Sequence, residues 1–192
     1  RLKVARMVRA WKPERVLDVA TGTGDLALEI QDACPGAEVT GSDFCAEMLA
    51  HAEARGLART LVADALSLPF DDGSFDVVTV AFGLRNMADY AAALREMGRV
   101  LRPGGHLLVL DFSLPEGALR RPYRWYLHRV LPKLAGWLTR QADAYEYLGG
   151  SIEEFPMGRE MTELIERCGY IGAEALPLTL GVASAYTAQA RR

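Results

Sequence analysis

The sequence predicts an α/β fold with a mostly parallel β-sheet covered by helices on both faces. Three observations carry that prediction. Short apolar runs alternate with helical stretches along the first two thirds of the chain. Strands that are apolar on both sides belong in a sheet with no solvent face. A glycine-rich turn, Ala20-Thr-Gly-Thr-Gly24, joins one such strand directly to a helix. The chain then closes on two strand-like runs with a short connection, which suits an antiparallel pair.

The elements follow in order. Arg15-Val-Leu-Asp-Val-Ala20 is a short apolar strand after Pro13. Asp25 to Cys34 reads as a helix closed by Pro35-Gly36, and Glu38 to Ser42 as the second strand. Ala46 to Arg55 is a helix ending at Gly56, and Thr60 to Ala63 a third strand. Pro69 to Ser74 is a polar turn ahead of a long β-rich strand, Phe75 to Phe82. Tyr90 to Leu101 carries apolar residues at helical spacing and stops at Pro103-Gly104-Gly105; His106 to Phe112 is then a fifth strand. Leu119 to Leu138 is a basic, aromatic helical stretch, and Ser151 to Cys168 contains another helix. Ile171 to Leu176 and Val182 to Gln189 complete seven strands, around Pro177 and Gly181.

Size and composition narrow the function classes. At 192 residues, half of them apolar, the chain is one domain with enough core, spanning 1–192. A net charge of −3 argues against a general nucleic-acid binder. No apolar run approaches the roughly 20 residues a membrane span needs, and Arg1 to Trp11 is basic and amphipathic without a signal-peptide core. Cys34, Cys45 and Cys168 are odd in number and far apart, as are His51, His106 and His128. Disulfides and a metal site are therefore not expected, and a reducing, cytoplasmic setting is.

The candidate chemistry lies where strands end. Gly22, Gly24 and Ala27 fit the G-x-G-x-x-G/A pattern, which lets a ligand approach the backbone closely. Asp43 ends the next strand, where a carboxylate can take both ribose hydroxyls. Dinucleotide and S-adenosylmethionine sites share these features. Asp18 before the glycines and Asp25 after them would repel a pyrophosphate but suit the ammonium of a methionine moiety. Asp25 could equally cap its helix. Asp64 ends the third strand and can accept from an adenine amine, with the Ala65 amide nearby. Phe44 and Ala81, next to these strand ends, complete the set expected to hold S-adenosylmethionine.

The stretches "LDVATGTGDLA", "DALSLPFDDGSFDVVTVAFGLRNMAD", "ALREMGRVLRPGGHLLVLDFSLP", "YEYLGGSIEEFP" and "LTLGVASAY" cover nearly the whole chain. They resemble the class I methyltransferases, and among them the ubiquinone/menaquinone biosynthesis C-methyltransferases. "FGLRN" and "YEYLGGSI" are the specific parts. The resemblance implies a Rossmann-like three-layer sandwich, its sheet mostly parallel with an antiparallel C-terminal strand. It also implies methylation of a ring carbon of a polyprenyl benzoquinol or naphthoquinol. Thr23, Asp43, Asp64 and Ala65 carry over as cofactor residues. Ala81 stands where the family usually has a small hydroxyl residue, which removes one polar contact. The family also has an upstream segment that helps cover the cofactor and that this sequence lacks.

Arg85 and Asn86 then acquire a reason to stand at a strand end. An aromatic carbon becomes nucleophilic when a ring hydroxyl ionises, and a fixed guanidinium with a neighbouring amide can stabilise and orient that oxyanion. The bland alternative has Asn86 capping the following helix and Arg85 pairing with Asp89 on the surface. Phe82 joins them on the substrate side. Asp111, at the fifth strand's end, binds a hydroxyl or caps a turn. Tyr145 and Tyr147 line the ring pocket or belong to the core.

The basic stretch Arg120 to Arg140 is a lid over the sheet or a surface for transient contact with the inner face of the cell membrane. A homodimer is a further expectation. Three alternatives remain: another small-molecule or lipid methyltransferase of this fold, a non-catalytic S-adenosylmethionine-binding subunit, and an NAD oxidoreductase.

Overall fold

A computed structural model describes residues 1–115, 120–125 and 155–191. Its helices are α1 (Leu2–Ala10), α2 (Asp25–Ala33), α3 (Ala46–Ala54), α4 (Tyr90–Val100), α5 (Arg120–Trp125) and α6 (Arg159–Arg167). Its strands are β1 (Arg15–Val19), β2 (Glu38–Asp43), β3 (Thr60–Val62), β4 (Phe75–Ala81), β5 (Leu101–Phe112), β6 (Tyr170–Leu178) and β7 (Ala183–Ala190). They form one sheet in the order β3-β2-β1-β4-β5-β7-β6. β1 to β5 pair in parallel, and β7 runs antiparallel between β5 and β6.

Period-2 alternation divides the apolar residues between two faces. Leu17, Val19, Val78, Val80, Leu107 and Val109 pack with Leu94 and Met97 of α4 and Met161 and Ile165 of α6. Val16, Val77, Leu108 and Leu110 pack with α1, α2 and Ala52 of α3 on the other face. Both faces are thus buried, which is why the central strands read as continuous apolar runs.

Two elements differ from the sequence reading. α1 forms because Val4, Ala5 and Val8 make one apolar stripe that the sheet buries, and Trp11 beyond it stacks on His106 at 4.3 Å. β5 begins at Leu101 rather than His106. Its register against β4 jumps from Phe75↔Leu101 to Val77↔His106, so Arg102 to Gly105 bulge out of a continuing strand. Most of the basic stretch after Leu119, with Tyr145 and Tyr147, lies outside the described residues.

The amino-terminal rim of the sheet is tied by Asp76. One carboxylate oxygen accepts the Glu14 and Arg15 amides at 2.6 and 2.8 Å, and the other pairs with Arg102 at 2.8 Å. Asp76→Ala would leave the Glu14 and Arg15 amides without their acceptor, at a cost of about 1–3 kcal/mol. Urea unfolding should show that loss. Ligand affinity at the opposite rim should stay within about threefold, since the two rims share no hydrogen bond through Asp76.

Candidate active site

β1 lies between β2 and β4, so chain connections leave it in opposite directions. Ligands in open α/β sheets bind beyond the strand ends at such a point. There the backbone is sharply bent. Ala20 and Phe82, just past the ends of β1 and β4, are non-glycine residues at φ 52 and 58. Such conformations cost about 1–3 kcal/mol each and gather at functional sites. The two ends nearly touch: a Cβ on Gly83 would stand 2.6 Å from the Ala20 Cβ. The glycine loop is equally constrained, because a Cβ on Gly24, itself at φ 80, would stand 2.9 Å from the Ala52 Cβ of α3.

Three carboxylates meet this loop in different ways. Asp43 accepts the Gly22 amide at 2.8 Å and the Cys45 amide at 3.0 Å, so it braces the loop it faces. Asp18 is buried and accepts the hydroxyls of Thr21 and Thr79, both at 2.6 Å. Burial pushes its pKa up to about 6, although the two hydroxyls oppose the shift. Thr79 reaches it because Asp18 and Thr79 are register partners in β1 and β4. Asp25 is half-buried at the start of α2. It pairs with Arg55 at 2.5 Å and Arg1 at 3.1 Å, and the Arg55 bond holds its pKa below the ordinary value. Gly24, not Asp25, caps α2.

A two-compartment cavity opens at these ends. The larger part, about 690 Å3, is lined by Asp43, Phe44, Met48, Asp64, Ala65 and Leu66 on one side and Phe82, Asn86 and Met87 on the other. Phe44 is 82% exposed there, an aromatic face open for stacking. The smaller part, about 180 Å3, is lined by Asp18, Thr21, Gly22, Thr23 and Asp25. Ala81 and Phe82 border both. Met48, Leu66 and Thr79 were not among the residues read from the sequence. Register against Asp18 was the available signal for Thr79; nothing marked the other two. A hollow of about 860 Å3 lies between Leu114, α6 and the β6–β7 hairpin, away from the glycine loop.

Arg85 is not a free cation at this cavity. Its Nη1 donates to Asp111 Oδ1 at 2.5 Å and to the Phe82 carbonyl at 3.1 Å, and its guanidinium lies 5.1 Å from the Phe112 ring. Asp111 is fully buried, which pushes its carboxyl up while Arg85 opposes. Asn86 is the member of the pair that lines the cavity; its Nδ2 also reaches the Phe82 carbonyl, at 3.4 Å. The cap of α4 is Asp89, which accepts the Ala92 amide, so the surface Arg85–Asp89 pair and the Asn86 cap are both absent among the described contacts.

The sequence profile of the ubiE/COQ5 methyltransferase family matches residues 1–190. The chain belongs to that family. A Thermus thermophilus protein named demethylmenaquinone methyltransferase is 52% identical over 178 residues, 90% of this chain and 80% of that one. A Bdellovibrio bacteriovorus protein named ubiquinone/menaquinone biosynthesis C-methyltransferase UbiE is 43% identical, over 97% of this chain and 82% of that one. A crystal structure of an Aquifex aeolicus SAM-dependent methyltransferase shares the fold at TM-score 0.68 and 18% identity, covering 96% of this chain and 87% of that one. The chain is accordingly an S-adenosylmethionine-dependent methyltransferase with the class I Rossmann-like sheet.

The site fits that cofactor in its donor set. Carboxylates stand at three strand ends, an open aromatic face borders one compartment, and the glycine loop leaves close backbone access to the other. Among the described residues no cluster of three or more His, Cys, Asp or Glu could hold a metal, and no described helix could cross a membrane.

Asp18 generates a pH prediction. Its folded pKa lies above the unfolded value, so its contribution to stability is full below about pH 4 and is lost as pH rises through about 6. Asp18→Asn should therefore gain on the unliganded parent between pH 4.5 and 7.5, by on the order of 1–3 kcal/mol. Urea titrations at the two pH values measure this. A difference that does not change with pH would mean that Asp18 is ionised throughout.

Proposed function

We propose that the chain methylates a ring carbon of a polyprenyl quinol, converting a demethylmenaquinol or the corresponding benzoquinol. The observation that supports this reading most is the placement of "FGLRN" at the end of β4, beside the glycine loop, in a chain of the ubiE/COQ5 family.

Asp43 would take the ribose hydroxyls, and Asp64 with the Ala65 amide the adenine edge, under Phe44. Asp18 with Thr21, Gly22 and Thr23 would hold the methionine end, where an ammonium favours the ionised carboxylate. The bound cofactor supplies an activated methyl on a sulfonium, so the chain's own task is to make the acceptor carbon nucleophilic and hold it in line. The quinol ring would lie against Phe82 and Asn86. Loss of a hydroxyl proton to solvent puts electron density on the adjacent ring carbon. That carbon would take the methyl as the methyl–sulfur bond breaks and leaves a neutral thioether, and would then shed its own proton, restoring the aromatic ring.

Arg85 contributes a guanidinium held in place by Asp111. Its Nε–H is uncommitted among the described residues. The Phe112 ring it lies on is 4.6 Å from Phe82, so the cation stands directly behind the ring site and favours phenolate character. The water-insoluble tail requires the enzyme to meet a lipid surface from the cytoplasmic side. Exposed Arg121 and Trp125 of α5 suit a transient contact of that kind.

Arg85→Ala is expected to lower turnover of a reduced demethylmenaquinone by at least about a hundredfold. Adenosylhomocysteine affinity by calorimetry should stay within about threefold, since Arg85 does not line the cofactor cavity. Normal quinol methylation by Arg85→Ala would show the role of Arg85 to be wrong.

A further inference from the structure

We propose that Asp111 is a positioning residue for methyl transfer, acting through Arg85; this rests on the role given to Arg85 above. The pair is closed on one arm only. Asp111 Oδ1 accepts Arg85 Nη1 at 2.5 Å and the Phe112 amide at 2.8 Å. Asp111 Oδ2 and Arg85 Nε are both buried, and neither has a hydrogen-bond partner among the described residues. Ser184 faces Asp111 across β5 and β7, yet its hydroxyl is engaged with Ser113 Oγ at 2.9 Å.

Arginine–carboxylate pairs frequently close as a fork, with two parallel bonds. Leaving a buried donor and a buried acceptor open is costly, and such groups call for a functional reason. The one-armed geometry supplies it. Three constraints fix the guanidinium: the Asp111 oxygen, the Phe82 carbonyl and the Phe112 ring. Arg85 Nε–H is left as a held, uncommitted donor. The same Nη1 that Asp111 grips also braces the left-handed turn at Phe82, which borders both cavity compartments. Asp111 itself lines neither compartment, so removing its charge would act on the cavity only through the guanidinium and the Phe82 turn it braces.

The test is a kinetic cycle with Asp111→Asn, which keeps the shape and removes the charge. Turnover of the quinol should fall about ten- to a hundredfold, the range that a misplacement near 1 Å produces. Adenosylhomocysteine affinity should stay within about threefold. In an Arg85→Lys background the same change should add less than about threefold, because Asp111 then has no guanidinium to hold.

Turnover within threefold of the parent in Asp111→Asn, or a full multiplicative loss in the Arg85→Lys background, would overturn the proposal. Should Asp111→Asn fail to bind adenosylhomocysteine, Asp111→Glu decides: binding kept with turnover lost supports positioning, and full turnover overturns it. Loss of binding in both variants overturns it too, making Asp111 a structural residue. An active Arg85→Ala would instead remove the reading beneath, whereas an inactive Arg85→Ala with a fully active Asp111→Asn removes only this proposal.

Discussion

The close approach of β1 and β4 at their carboxyl ends governs the site. Two strands of a parallel pair stand about 4.8 Å apart, and chain leaving both carboxyl ends has little room before it diverges. Here each end turns through a left-handed residue, Ala20 and Phe82, and Gly83 passes where even a methyl group would collide with Ala20. The bend at Ala20 sets the glycine loop, and the bend at Phe82 sets Asn86 into the cavity wall and Arg85 behind it. Strain at these two residues is held by the layers on either side of the sheet, whose central strands are almost wholly buried.

Burial then sorts the carboxylates. Asp18 and Asp111 both sit at strand ends with almost no exposure, and both are pushed toward the neutral form. Their partners separate them. Asp18 is held by two hydroxyls and the Ala27 amide, with no ion pair among the described residues, whereas Asp111 has a cation in Arg85. Asp43 braces the glycine loop at Gly22 and its own chain at Cys45, and Asp64 its own chain at Leu66, while both line the cavity. In the proposed reading, cofactor recognition and loop shape fall to the same side chains.

Much of this was legible in the sequence, for physical reasons that particular elements show. The strands were visible because burial on both faces leaves continuous apolar runs, and the closing hairpin because its connection is too short for a crossover. Asp18, Asp43 and Asp64 could be found because each follows from a strand end. The partner of Arg85 could not. Asp111 is 26 residues away, and only the pairing of β4 with β5 brings the two together. Thr79 was hidden likewise, as a polar residue inside an apolar strand whose meaning is its register with Asp18. α1 escaped because its buried stripe is only Val4, Ala5 and Val8 in an otherwise basic segment.

The central claim is that methyl transfer depends on an ionisable ring hydroxyl placed near Arg85. Mass spectrometry of a reaction with methyl-deuterated S-adenosylmethionine and a short-tail demethylmenaquinone tests it most directly. The account predicts one labelled methyl on the ring carbon when the quinone is kept reduced, and none when it is oxidised. Label on the oxidised quinone, or on a hydroxyl oxygen instead of the ring carbon, would contradict it.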